Sequence, residues 1–393
     1  MHIGVVGPIN VDDLADLLPD QAGAVARAQP RGNGTAPGAI VRGHHARGHH
    51  VSVVTRAQGC GPLTLRGERL DIIRVDGRAG RLRDTASRWH GAVADMTAVL
   101  HTLSPDVVHA NWAYEGALAG ARSGLPLVVT ARDAPLTVVR YYPRPDRWVR
   151  LTMPYELRAR HASRAMVTAV SPYLARAWTR QTRWPGEVSL VPNIAPAIQR
   201  HPVDDASPPR FVEVADDGRR KNVPTLLKAF AVVRARRADA CLTLVGSGLG
   251  ATGRLAAWAR TANLAAGVDF AGVLNAAGVR DRLAGAVAHV HLAREETFGN
   301  TLVEAMSLGT PVVAGARSGS VPWVLGDGYA ADLVDVEDAA DVARQMLAVL
   351  TDPAHRERLV VAGLHEVATR FGGPQVCKSY EGVYHRAVDR RRA

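Results

Sequence analysis

Residues 291–327, HLAREETFGNTLVEAMSLGTPVVAGARSGSVPWVLGD, decide the fold of this chain. Its middle holds apolar residues at the spacing of a short helix: Leu302, Val303, Ala305, Met306 and Leu308. Gly309 is expected to end that helix just before Pro311. Residues 311–314, Pro-Val-Val-Ala, then form a β-branched run typical of strands buried in parallel sheets. The pattern predicts a strand end, loop, helix, tight turn and strand.

Two carboxylates, Glu296 and Glu304, flank the junction between this loop and its helix. A helix start presents unpaired N–H groups and the positive end of a dipole, which attract anions. Carboxylates beside such a position are able to accept hydrogen bonds from sugar hydroxyls. The residues whose amides would meet the anion are Phe298, Gly299, Asn300 and Thr301. The hypothesis is a sugar-diphosphate pocket.

The same residues have a purely structural interpretation. Thr301 and Glu304 have the spacing of a capping box, in which Glu304 only folds back onto the helix start. Glu296 is then an ordinary solvated loop residue. Spacing alone leaves both interpretations open.

The order of motifs in this stretch resembles a known signature. Glu296-x7-Glu304 with Phe298-Gly299 inside it, followed by Gly309-Thr-Pro-Val-Val, resembles the family-4 retaining glycosyltransferases of the GT-B fold. Thr297 is a departure, because the family usually has glycine there. The resemblance implies an α/β fold with two doubly wound, Rossmann-type domains facing across a cleft. It also implies metal-independent transfer of a sugar, with retention, from a nucleotide-diphosphate donor to an acceptor hydroxyl.

The domain limits follow from length and composition. A chain of 393 residues exceeds the usual size of one hydrophobic core. We expect an acceptor-side domain at 1–195, a proline-rich linker at 196–209 and a nucleotide-sugar-binding domain at 210–372. Residues 373–393 resemble the terminal helix that returns to the first domain in GT-B proteins.

Charge and cysteine content restrict the class of protein. The net charge is +11 and the isoelectric point about 10.2, which favours anionic partners. Peripheral contact with an acidic membrane stays open, and no nucleic acid is expected because no recognised module is present. Cys241 lies in an apolar run and is expected to be a buried thiol, and the three cysteines form no disulfide framework. With no leader and no apolar run long enough to span a membrane, a cytoplasmic location is expected.

A basic loop in the second half predicts a phosphate clamp. Arg219, Arg220 and Lys221 directly precede a helical pattern, where the helix dipole also attracts phosphate. Lys221 matches the lysine that grips the donor diphosphate in the family. Alanine or aspartate occupies the usual arginine position, so Arg219 or Arg220 is expected to substitute. Val273, past a strand tip, resembles the family's base-binding edge, with core packing as the alternative.

The first half offers weaker candidates. Gly32 and Gly34 resemble the glycine pair that lets this domain approach the donor phosphate; the alternative is a flexible loop. His109 ends a predicted strand, where ligand groups lie in doubly wound sheets. Arg132 stands where the family commonly has a histidine, before Asp133. Arginine is no base at neutral pH, but it stabilises a diphosphate or binds an anionic substrate; the alternative is a structural ion pair with Asp133 or another carboxylate.

Two further clusters have structural interpretations that we favour. The histidines at 44, 45, 49 and 50 lack a carboxylate or thiolate among them, so no metal site is expected. Residues 140–164 combine arginines with aromatic residues, as at membrane surfaces and nucleic-acid stacking faces. A solvated helix face is the more common reason for such a run.

The function that these motifs predict is glycosyl transfer. Glu296, on the donor sugar hydroxyls, and Arg132 are assigned to catalysis, Glu304 to the ribose hydroxyls, and His109 and Asp133 to the acceptor side. The resemblance implies a UDP- or GDP-sugar donor, no required cofactor, and a small-molecule, glycan or lipid-linked acceptor. The alternatives are a nucleotide-sugar epimerase or hydrolase on the same architecture, or a weakly active nucleotide-sugar-binding protein.

Overall fold

The computed structural model describes residues 1–31, 35–78, 80–203 and 208–392. Its contacts divide the chain into two compact units. Unit 1 comprises Met1–Ile194 together with Gly373–Ala393, and unit 2 comprises Ala195–Gly372.

Unit 1 is built on an eight-stranded sheet with the spatial order β3-β4-β2-β1-β5-β6-β7-β8. Neighbouring strands are parallel except β3, which runs antiparallel to β4. The strands β5 and β6 are buried along their whole length, because helices cover both faces of such a sheet. The strands are β1 (His2–Val6), β2 (His50–Arg56), β3 (Leu63–Arg66), β4 (Leu70–Val75), β5 (Val107–Asn111), β6 (Leu127–Ala131), β7 (Ala165–Ala169) and β8 (Val188–Leu190).

Helices connect the strands of unit 1. They are α1 (Asp20–Arg27), α2 (Thr35–Ala46), α3 (Arg81–Ala86), α4 (His90–Leu103), α5 (Glu115–Ser123), α6 (Pro135–Tyr141), α7 (Pro145–His161) and α8 (Pro172–Thr182), with a 3-10 turn at Val11–Leu17. Both α7 and α8 begin with proline, whose fixed φ suits the first position of a helix.

Unit 2 carries a second sheet with the order β11-β10-β9-β12-β13-β14, all parallel. Its strands are β9 (Arg210–Val214), β10 (Cys241–Val245), β11 (Val268–Gly272), β12 (Ala288–His291), β13 (Val312–Gly315) and β14 (Asp332–Val334). Its helices are α9 (Val223–Arg236), α10 (Arg254–Thr261), α11 (Ala276–Leu283), α12 (Asn300–Ser307), α13 (Val321–Val324), α14 (Ala339–Thr351) and α15 (Pro353–Arg370), with a 3-10 turn at Gly326–Gly328. The prediction of two doubly wound α/β units is confirmed.

The last helix, α16 (Gly373–Arg392), packs within unit 1. Tyr380 and Tyr384 lie one turn apart and are completely buried. Tyr384 Oη lies 2.7 Å from His109 Nδ1, and Tyr380 Oη lies 3.1 Å from Thr130 Oγ1. The final helix thus contributes both core and polar contacts to the first sheet.

The segment 196–209, expected as a linker, is partly held to unit 2. Gln199 N donates to Ser307 O at 2.8 Å, and His201 N donates to Leu308 O at 2.9 Å. These backbone bonds satisfy polar groups that a free connector would leave to water. Residues 204–207 of the expected linker lie outside the described residues.

Two expectations from composition are tested by the structure. The expectation that Cys241 is buried was wrong, because this first residue of β10 is half-buried, whereas the four residues after it are buried. None of the helices in the described ranges combines the length and apolar character that crossing a membrane requires.

Candidate functional site

The loop after β9 and the loop after β12 lie side by side in unit 2. The two strands are parallel neighbours, so their carboxyl ends share one edge of the sheet. This is the edge at which open α/β sheets bind ligands. Arg294 N donates to Arg220 O at 2.8 Å, and Arg220 Nη1 donates to Glu295 O at 2.9 Å. The basic loop and the predicted catalytic loop are therefore one structural unit.

The Glu296 carboxylate lies at the centre of this contact. Its Oε2 accepts hydrogen bonds from Lys221 Nζ at 2.8 Å and Arg220 Nη1 at 3.1 Å. Burial alone would raise its pKa, but Lys221, His291 and Arg220 outweigh burial and hold the pKa well below 4.5. Of the two arginines expected to complete the clamp, Arg220 makes this contact and Arg219 is exposed. Glu296 is not a solvated loop residue, since its side chain is 12% exposed and held by cations.

The start of α12 depends on Gly299. Its φ of +89° lies in the left-handed region, and a Cβ there would stand 2.7 Å from Leu302 Cδ1. Gly299 is the N-cap, and no side chain caps the helix. The capping-box interpretation is wrong, because Thr301 lies inside the helix and its Oγ1 is 3.1 Å from His289 Nε2. Leu302 N donates to Gly299 O at 3.0 Å, which closes the first turn of the helix. The N-terminal end of a helix carries the positive end of its dipole, which favours an anion there.

Glu304 lies on α12, one turn beyond Asn300, and is half-buried. Among the described residues, none makes a hydrogen bond or ion pair with its carboxylate. Burial raises its pKa, and attraction to Arg280 opposes that rise. Glu304 therefore differs from Glu296: its carboxylate has acceptor capacity that the protein itself does not use.

The other residues predicted to bind the donor have three different environments. The Phe298 ring is buried and packs edge-on against Phe371, with centroids 5.5 Å apart. Only its backbone can therefore face a ligand. Val273 is 75% exposed just past β11, so the alternative of core packing is wrong. Asn300 is the first residue of α12.

Behind Glu296 lies a buried row of ionisable groups that the sequence analysis missed. Glu213, on β9, and His289 and His291, on β12, are each at most 1% exposed. His291 Nδ1 lies 3.4 Å from Glu213 Oε1, and its Nε2 lies 3.5 Å from Glu296 Oε2. One feature of the sequence could have revealed this row: two histidines at positions i and i+2 of an apolar strand point to the same face of the sheet. Glu213 itself belongs to a distant strand.

Burial and neighbouring charges shift the pKa values of the two histidines in this row. Burial lowers the pKa of His291, but attraction to Glu213 and hydrogen bonding to Glu213 and Glu296 outweigh it, so the net shift is upward from 6.5. Burial lowers the pKa of His289 to about 4, and its Nδ1 lies 3.0 Å from the Val212 carbonyl oxygen. The two carboxylates therefore favour the protonated form of His291, whereas burial favours the neutral form of His289.

We expect replacement of His291 by glutamine to remove a pH-dependent part of the stability. A histidine whose folded pKa is raised stabilises the fold below its unfolded pKa, and that contribution is lost as pH rises through the folded value. The wild-type free energy of unfolding should therefore fall as pH rises above about 6.5. Urea titrations across this range should give a flatter profile for the variant.

The matched control is His365→Gln, which changes an exposed histidine on α15 in the same unit. It should retain the wild-type pH profile. If His291→Gln kept the wild-type slope, His291 would not be the group whose proton is gained on folding.

Two groups of described side chains have donor atoms close enough to hold a metal ion: His44, His49 and Glu381, and Glu213, His289 and His291. The first group differs from the sequence expectation, since α16 supplies the missing carboxylate. Arg47 Nε and Nη2 donate to Glu381 at 2.5 and 2.8 Å, and these bonds lower the Glu381 pKa to about 2. A guanidinium beside the donor atoms repels a metal cation, so this group is a salt-bridge network between α2 and α16.

Arg132 is buried in unit 1 and donates to two amide side chains. Its Nε and Nη2 donate to Asn111 Oδ1 at 3.2 and 2.7 Å, and its Nη1 donates to Asn193 Oδ1 at 2.5 Å. Its exposure is 7%. The proposed pairing with Asp133 is not among these bonds, and Asp133 instead accepts from Tyr114 Oη at 2.8 Å. Arg132 thus holds the side-chain oxygens of Asn111 and Asn193, and its catalytic role stays a prediction.

His109, predicted on the acceptor side, has no free ring nitrogen to offer an acceptor. It is completely buried, with Tyr384 Oη and Thr130 Oγ1 each 2.7 Å from a ring nitrogen. Burial lowers its pKa well below 6.5, and nearby Arg132 adds to that effect. The predicted strand end was wrong, because β5 continues to Asn111 and His109 is its middle residue, where Tyr384 of α16 contacts the ring.

A cavity of about 520 Å³ lies in unit 1. We call it the unit 1 cavity. The residues that line it include Trp89, Asn111, Trp112, Tyr114, Glu115, Asp133, Arg144, Asp146, Arg147 and Arg150. Arg144, Arg147 and Arg150 belong to the basic stretch 140–164, so that stretch is only partly a solvated face. Gly32 and Gly34 lie outside the described residues.

Solved structures of low identity share the fold over the whole chain. A sucrose-phosphate synthase from Thermosynechococcus elongatus is similar with a TM-score of 0.74 and 21% identity, covering 98% of each chain. Anabaena Alr3699/HepE in complex with UDP-glucose is similar with a TM-score of 0.68 and 15% identity, covering 98% of this chain and 100% of that one. The protein therefore has the GT-B fold.

Two family models match adjoining parts of the chain. The model described as Glycosyltransferase Family 4 matches residues 38–196, and that described as Glycosyl transferases group 1 matches residues 197–365. The chain belongs to the family-4 glycosyltransferases of the GT-B fold, which confirms the resemblance of its Glu296–Glu304 signature.

Curated relatives match a smaller fraction of this chain than the solved structures do. The MMP alpha-(1->4)-mannosyltransferase of Mycolicibacterium hassiacum is 28% identical over 303 residues, covering 72% of this chain and 71% of that protein. The D-inositol 3-phosphate glycosyltransferase of Thermobifida fusca is 41% identical over 73 residues, covering 19% of this chain. The chain spans only 17%, 20% and 21% of the length of the first three curated relatives.

Proposed function

We propose that this protein transfers a sugar from a nucleoside-diphosphate donor to an acceptor hydroxyl, with retention and without a metal ion. The observation that carries this proposal is the contact of Lys221 and Arg220 with Glu296 beside the N-terminal end of α12, which no side chain caps. Cations, helix amides and a carboxylate thus converge at the ligand-binding edge of unit 2. In a nucleotide sugar, the diphosphate would bind the cations and the amides, and the sugar hydroxyls would bind the carboxylate.

The donor diphosphate would lie against Lys221, Arg220 and the first amides of α12. Negative charge grows on the diphosphate as its bond to the sugar breaks. Preorganised cations and backbone donors stabilise such charge without rearranging at the moment of reaction. Because protein cations supply this stabilisation, the mechanism needs no divalent metal ion on the leaving group.

The two glutamates would have different roles. A carboxylate with a depressed pKa is a weak base, so Glu296 is better suited to accepting hydrogen bonds from donor sugar hydroxyls than to deprotonating an acceptor. Glu304, whose carboxylate has no bonded partner among the described residues, would accept from the ribose hydroxyls. The exposed Val273 would contact the base.

The proposed donor and stereochemistry are based on proteins that are similar to this chain. The similar Anabaena protein was solved with UDP-glucose, which makes UDP-sugars the first donors to test, followed by GDP-sugars. Retention is proposed because the signature from Glu296 to Glu304 resembles that of retaining members of the family. The acceptor would be a small molecule, a glycan or a lipid-linked molecule; the relatives are named after acceptors as different as inositol phosphate and phosphatidylinositol.

The decisive experiment has two stages. Thermal-shift measurements with UDP, GDP, ADP, dTDP and their sugars should show stabilisation by one nucleotide class, because a ligand that binds only the folded state raises its stability. Incubating that donor with candidate acceptors, with and without EDTA, should yield a glycoside of the donor's anomeric configuration in both cases. Free sugar as the sole product would indicate a hydrolase, and an isomerised nucleotide sugar an epimerase. Binding without turnover would indicate a nucleotide-sugar-binding protein.

A further inference from the structure

His291 lies between the carboxylates of Glu213 and Glu296. Among the described residues, neither of its ring nitrogens has a partner with ideal hydrogen-bond geometry. Its Nε2 nonetheless lies 3.5 Å from Glu296 Oε2, and its Nδ1 lies 3.4 Å from Glu213 Oε1. His291 therefore links Glu296, at the ligand-binding edge of the sheet, to Glu213 in the interior of unit 2.

Glu213 depends on this histidine for its counter-charge. Its side chain is 1% exposed, and in the described part of the chain neither of its carboxylate oxygens has a hydrogen-bond partner. His289 Nδ1 lies 3.8 Å away, but burial lowers the pKa of His289 to about 4 and so favours its neutral form. A buried carboxylate without a cation is costly, so Glu213 and the protonated form of His291 stabilise each other.

The donor atoms of Glu213, His289 and His291 are close enough for a metal ion, but His289 is not free to bind one. The Val212 carbonyl oxygen only accepts, so the His289 Nδ1 atom 3.0 Å from it carries the proton. The other ring nitrogen, Nε2, lies 3.1 Å from Thr301 Oγ1. One histidine and one carboxylate are left, which is fewer than the three or four ligands that metal sites need.

Stability is a poor reason for charges at these positions of the two strands. Side chains two positions apart in a strand share one face, and Glu213 shares its face with Phe211, which is completely buried. Replacing a buried ion pair by apolar residues of similar volume is often neutral or stabilising. The pair therefore requires another role, and the residue that it contacts is the carboxylate assigned to the donor sugar.

Donor binding would change the surroundings of Glu296. Its Oε2 accepts from Lys221 at 2.8 Å and from Arg220 at 3.1 Å. In the proposed function the same two cations bind the diphosphate, so their attraction is then divided between phosphate and carboxylate. His291 is completely buried, and a phosphate cannot reach it. Its contact with Glu296 is therefore one that donor binding leaves unchanged.

We propose that Glu213 and His291 are positioning residues, which hold the Glu296 carboxylate in place for the donor sugar while Lys221 and Arg220 bind the diphosphate. Glu213 favours the protonated form of His291, and His291 in turn attracts Glu296. This inference rests on the proposed function. It adds two residues that touch no substrate and that affect the binding of the sugar but not of the nucleotide.

The test is calorimetric titration with a nucleoside diphosphate and with its sugar: UDP and UDP-glucose, or GDP and GDP-mannose, whichever pair the wild type binds. Glu213→Gln should weaken binding of the nucleotide sugar by about tenfold, the effect of a hydrogen bond to a charged group. Affinity for the nucleotide should change by less than about twofold, because the diphosphate would lie against other groups. A purely structural role for Glu213 would weaken both ligands alike.

The double variant Glu213→Leu with His291→Leu keeps the test valid if Glu213→Gln does not fold, since it leaves neither charge of the pair alone in the core. It should be folded by circular dichroism and show the same selective loss of affinity for the nucleotide sugar. The matched control is Glu366→Gln, because Glu366 is a buried carboxylate of the same unit that pairs with Arg370. It should leave both affinities unchanged.

The outcomes separate this inference from the proposed function. Unchanged affinity for the nucleotide sugar in a folded variant, or equal weakening of the nucleotide and its sugar, would overturn the inference and leave the proposed function standing. Failure of both variants to fold would assign the pair to the core and overturn it as well. If the wild type bound neither pair of ligands, the proposed function would fail, and this inference with it.

Discussion

Replacing Glu296 with glutamine is expected to reduce kcat for glycosyl transfer by about 10²–10³-fold, the usual effect of losing one preorganised polar group at a reacting centre. The amide cannot carry the negative charge that Lys221 and Arg220 now hold. Glu296 Oε2 accepts from Lys221 and Arg220, and its Oε1 accepts from Thr297 N at 3.2 Å, so the N–H group of the glutamine amide must face one of these donors. Initial rates with the donor found by thermal shift measure the effect.

The control is Glu357→Gln, the same chemical change at an exposed residue of α15 in the same unit. It should retain wild-type activity. Circular dichroism must show that Glu296→Gln is folded, because removing one partner of a buried ion pair costs about 3–5 kcal/mol. Near-normal turnover by a folded Glu296→Gln protein would falsify the assignment of this carboxylate to the donor sugar.

Replacing Lys221 with alanine is expected to weaken binding of the nucleoside diphosphate by about 10–100-fold, the range for a hydrogen bond to a charged group. The ammonium contributes an ionic contact that alanine lacks, and Glu296 loses its nearest cation at the same time. Transfer should therefore fall through both donor affinity and kcat. Calorimetric titration with UDP or GDP measures the first, and initial rates at saturating donor measure the second.

Lys228→Ala is the matched control, since Lys228 is an exposed lysine on α9, the helix that directly follows the basic loop. It removes the same charge from unit 2 without touching the site. If Lys221→Ala and Lys228→Ala weakened nucleotide binding equally, the effect would be one of net charge, and the clamp assignment would be wrong.

The local structure around Glu296 could be predicted because its information is local in the chain. Glu296, Gly299 and Glu304 lie within nine positions, and the helix, its start and its end follow from neighbouring residues. Lys221 was predicted for the same reason, since it directly precedes a helix. That Gly299 is the N-cap of α12, with no side chain capping the helix, was not predicted, because a left-handed glycine and a capping box produce similar sequence patterns.

The surroundings of the residues predicted on the acceptor side were harder to predict, because their contacts join distant segments. Arg132 was assigned to the ligand, yet its guanidinium is used by Asn111 and Asn193, 21 and 61 positions away. His109 was placed at a strand tip, but the hydroxyl that occupies its Nδ1 belongs to Tyr384, 275 positions later. Neither partner can be identified from spacing.

By itself, the sequence determined the α/β class of both units, the helix start beside Glu296 and the basic loop at Lys221, since these depend on residues within one or two turns of each other. Only the tertiary structure decided which arginine reaches Glu296, that Glu213 and His291 stand behind it, and that Arg144, Arg147 and Asn111 line one cavity. The physical reason is that electrostatic and hydrogen-bonding partners are chosen by distance in space, and strand pairing sets that distance between residues far apart in the chain.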